Sequence, residues 1–227
     1  LIIPSMDRIH CQEKARVLFD DYHSSSKPSK HLYDFLPELE KAGYTIDHSE
    51  DRIDSSLLEK YDVFVVFIPF RNYRDTEKDA IKDFVQNGGG LIIFGEHGGY
   101  MDYKKLTGPV NSISNLFGIE FNEDVVLDSE RNREGEDCHP IISNFKSHAV
   151  TTGVGSIGYI CGCSLTLKYP PAGLAFGNPT TTANGQEGTD VVILAAAEYG
   201  KGRVVAIGDT DFLVGLSTPG YEEDYLS

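Results

Sequence analysis

Apolar residues along the first hundred positions repeat with two alternating periods. Arg16-Val17-Leu18-Phe19 and Val63-Phe64-Val65-Val66-Phe67 are short β-rich runs, and the second is apolar on both faces, as a central parallel strand covered by helices must be. Between them Leu32, Phe35, Leu36 and Leu39 fall at helical spacing, with Pro37 removing a backbone donor inside the pattern and Ala42-Gly43 closing it. Tyr44 to His48 predicts a second strand and Leu57 to Tyr61 a helical turn. Thr76 predicts the cap of a further helix, whose buried stripe is Ala80, Ile81, Phe84 and Val85. Gly88-Gly89-Gly90 ends that helix and feeds the strand Leu91 to Phe94. Strands alternating with helices predict βαβ units around a parallel sheet.

The second half reads differently. Ser112 to Phe117 predicts a short helix, and Val125 to Asp128, Tyr159 to Leu167 and Leu174 to Phe176 predict strands between polar, Gly- and Thr-rich stretches. Ser129 to His148 is polar enough to predict a surface loop. A hairpin follows, with strands Val191 to Glu198 and Arg203 to Ile207 around the turn Tyr199-Gly200-Lys201-Gly202. Gly208 to Phe212 is expected to open a further helix, and a natural final helix is expected to lie beyond Ser227.

Length and charge narrow the picture. The 227 residues fit one α/β domain, 1–227, large enough for a substantial core. A formal net charge of -15 repels polyphosphate backbones, so nucleic acid and anionic membrane surfaces are not expected partners. The longest apolar run, Val63 to Phe70, is broken by Pro69 and falls short of the roughly 20 residues that span a bilayer. A soluble domain is therefore expected. The chain starts at Leu1 without an initiator Met, which leaves open a leader or anchor ahead of it and an extracytoplasmic or membrane-associated setting. Cys11, Cys138, Cys161 and Cys163 show no C-x-x-C or zinc-finger spacing; one disulfide is open to them, buried free thiols are the simpler expectation, and Cys161-Gly162-Cys163 is expected inside a strand, where those two would pair with poor geometry.

Ligands of open parallel sheets lie outside the carboxyl ends of the strands, where loops converge and helix amino termini point inward. Those positions here carry Asp20, Asp21 and His23 after the first strand, Pro69, Phe70 and Arg71 after the third, Glu96 and His97 after the fourth, and Asp209 and Asp211 after the last. Three readings stand side by side. Asp20 or Asp21, Glu96 and Asp209 with His23 or His97 offer the oxygen and nitrogen donors of a divalent cation site. The same groups suit the hydroxyls of a sugar or other polar ligand, with Tyr22, Phe70 or Tyr100 packing on its apolar face. Or they cap helices and tie loops.

Nucleophilic catalysis is not expected. No G-x-S-x-G or G-x-C-x-G stands at any of these turns. Gly88-Gly89-Gly90 precedes its strand and lacks the Lys and Ser/Thr of a phosphate loop. Cys138 and His139 lie beside the charge run Glu130 to Asp137, which reads as a solvated loop.

The order of short motifs is informative where each alone is not. Leu91 to Gly99 (LIIFGEHGG), Asn115-Leu116-Phe117-Gly118-Ile119, His139-Pro140, and the closing hairpin from Tyr199 to Asp209 together resemble the GIFT domain family. That family groups gliding-motility ABC-transporter auxiliary proteins with the amino-terminal domain of an intraflagellar-transport subunit. The resemblance implies a flavodoxin-like α/β fold, a mostly parallel sheet with helices on both faces of the class I glutamine amidotransferase-like type, with a carboxyl-terminal β-hairpin added. In those enzymes the turn after the equivalent strand is G-x-C-x-G and a later H-x-E supplies the base. Here the turn is Gly95-Glu96-His97-Gly98-Gly99, so His97 stands in place of the nucleophile, and no H-x-E follows the later strands. Glutaminase activity and catalytic residues are therefore not expected. The expected function is a non-catalytic module that binds a carbohydrate, another polar small molecule or a protein partner, as a component of a transporter or surface assembly, with Asp21, His23, Glu96, His97, Asp209 and Asp211 as its ligand-binding candidates. No resident cofactor is expected. The competing expectation is a metal-dependent hydrolase using a divalent cation at the same acidic and histidine site.

Overall fold

A computed structural model describes residues 14–24, 27–32, 35–97 and 107–213. Ten strands make the main sheet: β1 Arg16–Asp20, β2 Thr45–Ser49, β3 Val63–Phe67, β4 Gly90–Phe94, β5 Ile119–Phe121, β6 Asn144–Phe145, β7 Leu165–Leu167, β8 Ala172–Phe176, β9 Val192–Tyr199 and β10 Gly202–Ile207. Its main path runs β2-β1-β3-β4-β10-β9-β7-β5, with β8 pairing to β9 and to β6. The first five strands of the path are mutually parallel and the remaining pairings are antiparallel. The helices are α1 Pro28–His31, α2 Phe35–Lys41, α3 Ser55–Leu58, α4 Asp75–Gln86 and α5 Thr107–Ser114.

Strand periodicity divides the core in two. Leu18, Phe64, Val66, Leu91 and Ile93 bury themselves with Ile81 and Val85 of α4 and Ile113 of α5. Val17, Phe19, Val65 and Phe67, one residue out of phase, pack on the other face with Leu32 and Leu36. Burying each such side chain contributes about 1.5–3 kcal/mol, so truncating Phe64, which is fully buried, to Ala costs about 3–5 kcal/mol. α4 starts one residue before the expected cap. Its N-cap is Arg74, not Thr76, because the Glu77 carboxylate reaches back to accept the Arg74 N–H at 2.9 Å. α5 likewise begins ahead of Ser112, at Thr107, and a 3-10 turn, Asn115–Phe117, extends it.

The second half departs further from its pattern. The polar stretch expected to be a loop contains a seven-residue strand, Glu136–Ile142, paired antiparallel with Asn132–Arg133 and with Ile157–Gly158. Its Pro140 and Ile142 are buried while its first residues face outward, so the run reads as polar. The single strand expected from Tyr159 to Leu167 is broken. Cys161 adopts the left-handed conformation with φ 51°, and the Cys161-Gly162-Cys163 segment is a turn between Ile157–Gly158 and β7. Asp128 ties this half together: its carboxylate accepts hydrogen bonds from the Glu130 and Arg131 N–H groups, the Thr180 and Thr181 hydroxyls and the Asn178 amide, all at 2.6–3.1 Å. Burial pushes its pKa up, but these five donors win and hold it far below the ordinary carboxylate range.

The closing hairpin lies within the sheet. β9 and β10 pair from Leu194–Ile207 to Tyr199–Gly202, and β10 then takes the place beside β4. The residues after Asp209 form a 3-10 turn, Asp211–Leu213, and the expected final helix falls outside the described residues.

Candidate active-edge cluster

β4 and β10 are parallel neighbours in register, Phe94 opposite Ile207, so the residues leaving them emerge side by side. Glu96 follows one strand and Asp209 the other. With Asp211 they place a carboxylate oxygen each within 4.8 Å of one another. Glu96 and Asp209 are buried, and among the described residues no Lys or Arg pairs with either. Their donors are neutral. Glu96 accepts from the His97 N–H at 2.8 Å and lies 3.4 Å from the Thr210 hydroxyl, while Asp209 accepts from the Ile160 N–H at 2.7 Å and the Asp211 N–H at 2.9 Å.

The electrostatic result follows from desolvation and like charge. Burial, then the Asp209 charge, push the Glu96 carboxyl up to about 9, and burial, then the Asp211 charge, push Asp209 up to about 7. At neutral pH the pair holds a proton, so it can donate as well as accept a hydrogen bond. Burial lowers the pKa of His97, which is half-buried beside the pair.

Two close approaches bring the Cys161 turn against this edge. A Cβ on Gly162 would sit 2.6 Å from the Asp209 Cβ and 2.5 Å from the Tyr159 ring, and one on Gly208 would run into the Cys163 carbonyl. Tyr159 donates its hydroxyl to that carbonyl at 2.6 Å. Burial, its hydrogen bond to Cys138 and the Glu96 and Asp209 charges push the Cys161 thiol up to about 12, which leaves it a poor nucleophile. Cys138, Cys161 and Cys163 are free thiols, and Cys11 lies outside the described residues.

The other candidates after β1 form a separate network. Asp20 is fully buried and takes hydrogen bonds from the His23 N–H at 3.0 Å and the Tyr73 hydroxyl at 2.6 Å, with His23 Nδ1 at 2.8 Å. His23 stacks on Tyr73 with ring centroids 3.9 Å apart, and its Nε2 lies 3.4 Å from Glu77 without hydrogen-bonding geometry. Asp21 accepts from the Ser29 hydroxyl and lies 3.1 Å from His48 Nδ1. Burial pushes Glu77 up, but the N–H groups of Arg74 and Ile53, the charge of His23 and the Arg52 guanidinium hold it below the ordinary value. Asp21 and His23 are thus joined to β2 and α4, not to Glu96, and nothing in the pattern of apolar residues marks Tyr73 or Glu77 as their partners. Of the expected aromatic platform, Tyr22 lies under the Arg52 and Arg71 guanidiniums, Phe70 is exposed, and Tyr100 falls outside the described residues.

Shape does not single out the acidic cluster. A cleft of about 430 Å³ lies at the opposite, amino-terminal edge, lined by Leu58, Tyr61, Asp62, Phe84 and Gly89. Chemistry distinguishes the carboxyl edge.

Among solved structures, the mmIFT52 N-terminal domain matches over 86% of this chain and 86% of its own, with a TM-score of 0.71 at 16% identity. The cytoplasmic protein STM3548 from Salmonella typhimurium matches over 94% and 96%, with a TM-score of 0.58 at 16% identity. A putative thua-like protein from Bacteroides uniformis matches over 93% and 88%, with a TM-score of 0.55 at 14% identity. At these identities the likeness is one of fold. No curated protein matches the chain by sequence. No helix among the described residues is long and apolar enough to cross a membrane. A family model described as "ABC-type uncharacterized transport system" matches residues 14–183, which is most of the sequence, and the chain belongs to that family.

Proposed function

We propose that the chain is a non-catalytic binding module of a transport assembly, one flavodoxin-like, class I glutamine amidotransferase-like domain that recognises a hydroxyl-rich ligand at the carboxyl edge of its sheet. The observation that carries this reading is the Glu96–Asp209 pair. It stands at the ends of adjacent parallel strands, where ligands of doubly wound sheets bind, and it shares a proton at neutral pH, with no Lys or Arg among the described residues paired to either acid. Such a pair matches sugar hydroxyls, which both donate and accept. The strand order β2-β1-β3-β4-β10 supports the flavodoxin-like assignment, and family membership supports the transport setting. Against catalysis, His97 replaces the nucleophile of the enzymes the fold resembles, and the nearby Cys161 thiol is held protonated.

A metal-dependent hydrolase is the second reading, favoured by three carboxylates within 4.8 Å of one another. A hard cation takes oxygen ligands and would draw both raised carboxyls back to their ionised forms. Thermal unfolding in the presence of Mg2+, Ca2+ or Mn2+, and separately of a panel of mono- and oligosaccharides, separates the two, since a ligand of the native state raises its midpoint. A shift with a saccharide that is lost in Glu96→Gln supports the binding module. A shift with the cation alone, together with hydrolysis of an ester or phosphoester, replaces it with the hydrolase.

A further inference from the structure

Beside the acidic edge, and separate from the ligand-binding reading, the fold gathers three side chains of a different chemistry. Cys138 and His139 lie on the Glu136–Ile142 strand, and Cys161 lies on the turn after Ile157–Gly158. The two thiol sulfurs and one imidazole nitrogen sit within 4.8 Å of one another. Neighbours on a regular strand point to opposite faces, so Cys138 and His139 need a local irregularity to converge. The pairing supplies it: Asn132 is opposite Pro140 while the next residue, Arg133, is opposite Glu136, so Asp137, Cys138 and His139 fall in the bulge between those contacts. Bulges re-aim side chains in this way.

Cys161 is fixed from both sides. Its N–H donates to the Cys138 carbonyl at 2.5 Å, the Tyr159 N–H donates to the Pro140 carbonyl at 2.9 Å, and the intervening Ile160 N–H is anchored on Asp209 at 2.7 Å. A non-glycine residue at φ 51° is held there at a cost of about 1–3 kcal/mol, which the surrounding contacts must offset. The three donors are half-buried, so the group is screened but reachable.

We propose that Cys138, His139 and Cys161 form a Cys2His site for a thiophilic divalent cation, zinc above all, that fastens the Glu136–Ile142 strand to the Cys161 turn. Two thiolates and an imidazole select zinc over magnesium or calcium, which prefer oxygen. Zinc–ligand distances of roughly 2.0–2.3 Å place donors about 4 Å or less apart, within about 1 Å of the present arrangement. Binding releases the two thiol protons to solvent and leaves a fourth position for water.

The test is titration of the reduced, chelator-treated full chain with Co2+, then Zn2+. One equivalent of Co2+ is expected to give sulfur-to-cobalt charge-transfer absorption and tetrahedral ligand-field bands, with Zn2+ displacing it. Cys138→Ser and Cys161→Ser should each weaken binding by at least about tenfold, since even outer partners of zinc ligands matter that much. Cys11→Ser should keep the spectrum. The wild-type spectrum stands whether or not a cysteine variant folds. The site is disproved by a cobalt complex without charge-transfer bands, by bands that vanish in Cys11→Ser, or by a Cys138–Cys161 disulfide that re-forms under saturating Zn2+.

Discussion

Glu96 and Asp209 each stand two residues beyond the end of a strand, β4 and β10, and the parallel register that puts Phe94 opposite Ile207 brings the two carboxylates together. Two acids buried side by side cannot both ionise cheaply, because burial strips each of solvation and each charge repels the other. Their placement costs stability, and that cost is kept at the carboxyl edge of the sheet, where open α/β sheets generally bind their ligands.

That cost has a pH signature. Glu96 rises from 4.5 to about 9 and Asp209 from 3.8 to about 7, so between those limits the folded chain holds protons that the unfolded chain releases. The pair's favourable contribution is therefore complete below about pH 4 and is lost as pH rises through about 7 and then about 9. Urea unfolding should show Glu96→Gln and wild type within about 0.5 kcal/mol at pH 4, and the variant more stable by about 3 kcal/mol or more at pH 8.5. Identical profiles for the two proteins would remove the buried-pair account.

Asp128 predicts the opposite slope. Its folded pKa is depressed, so its contribution is present above the ordinary carboxylate value and disappears as the solution is acidified through that value and below. Asp128→Ala strands the Thr180, Thr181 and Asn178 donors and should cost about 3 kcal/mol or more at pH 7, measured by urea unfolding. The difference from wild type should shrink steadily toward pH 3.

The β1 network should prove structural. Tyr73→Phe removes the hydroxyl that donates to buried Asp20 and should lower stability by about 1–3 kcal/mol. Ligand affinity at the Glu96 edge should stay within about twofold, because Asp20, His23 and Glu77 answer to one another and not to Glu96. Calorimetric titration of the same ligand into both proteins decides this.

Gly162 is required by contact, not by its backbone angle. Gly162→Ala would press a methyl into Asp209 and Tyr159, and overpacking of this kind costs about 1–3 kcal/mol. Thermal unfolding should register the loss, and intact stability in the variant would mean that the Cys161 turn packs less tightly on Asp209 than described.

The parallel half of the fold was legible because its signals are local. Val63 to Phe67 and Leu91 to Phe94 are continuous apolar runs bounded by glycines or acids, and β10 closes a hairpin with a glycine turn. Glu96, Asp209 and Asp211 could be nominated from the same frame, since strand ends mark the edge where ligands bind. The rest depended on partners far along the chain. The strand Glu136–Ile142 buries little of itself, so its polar start disguised it, and Asp128 takes its hydrogen bonds from Asn178, Thr180 and Thr181. Cysteine spacing says nothing of Cys138, His139 and Cys161 because a bulge and a left-handed turn, neither encoded by glycine at those positions, bring them together. Asp21 and His23 share with Glu96 a position just beyond a strand end, but their contacts run to β2 and α4.

Isothermal titration of a saccharide panel into wild type and into the Glu96→Gln/Asp209→Asn double variant at pH 7, with each sugar recovered and checked for cleavage, tests binding without turnover most directly. The expected result is a sugar that binds wild type, is recovered intact, and binds the double variant at least about tenfold more weakly, a loss of about 1.4 kcal/mol. A sugar that is cleaved, one bound equally by both proteins, or a panel with no binder would contradict it.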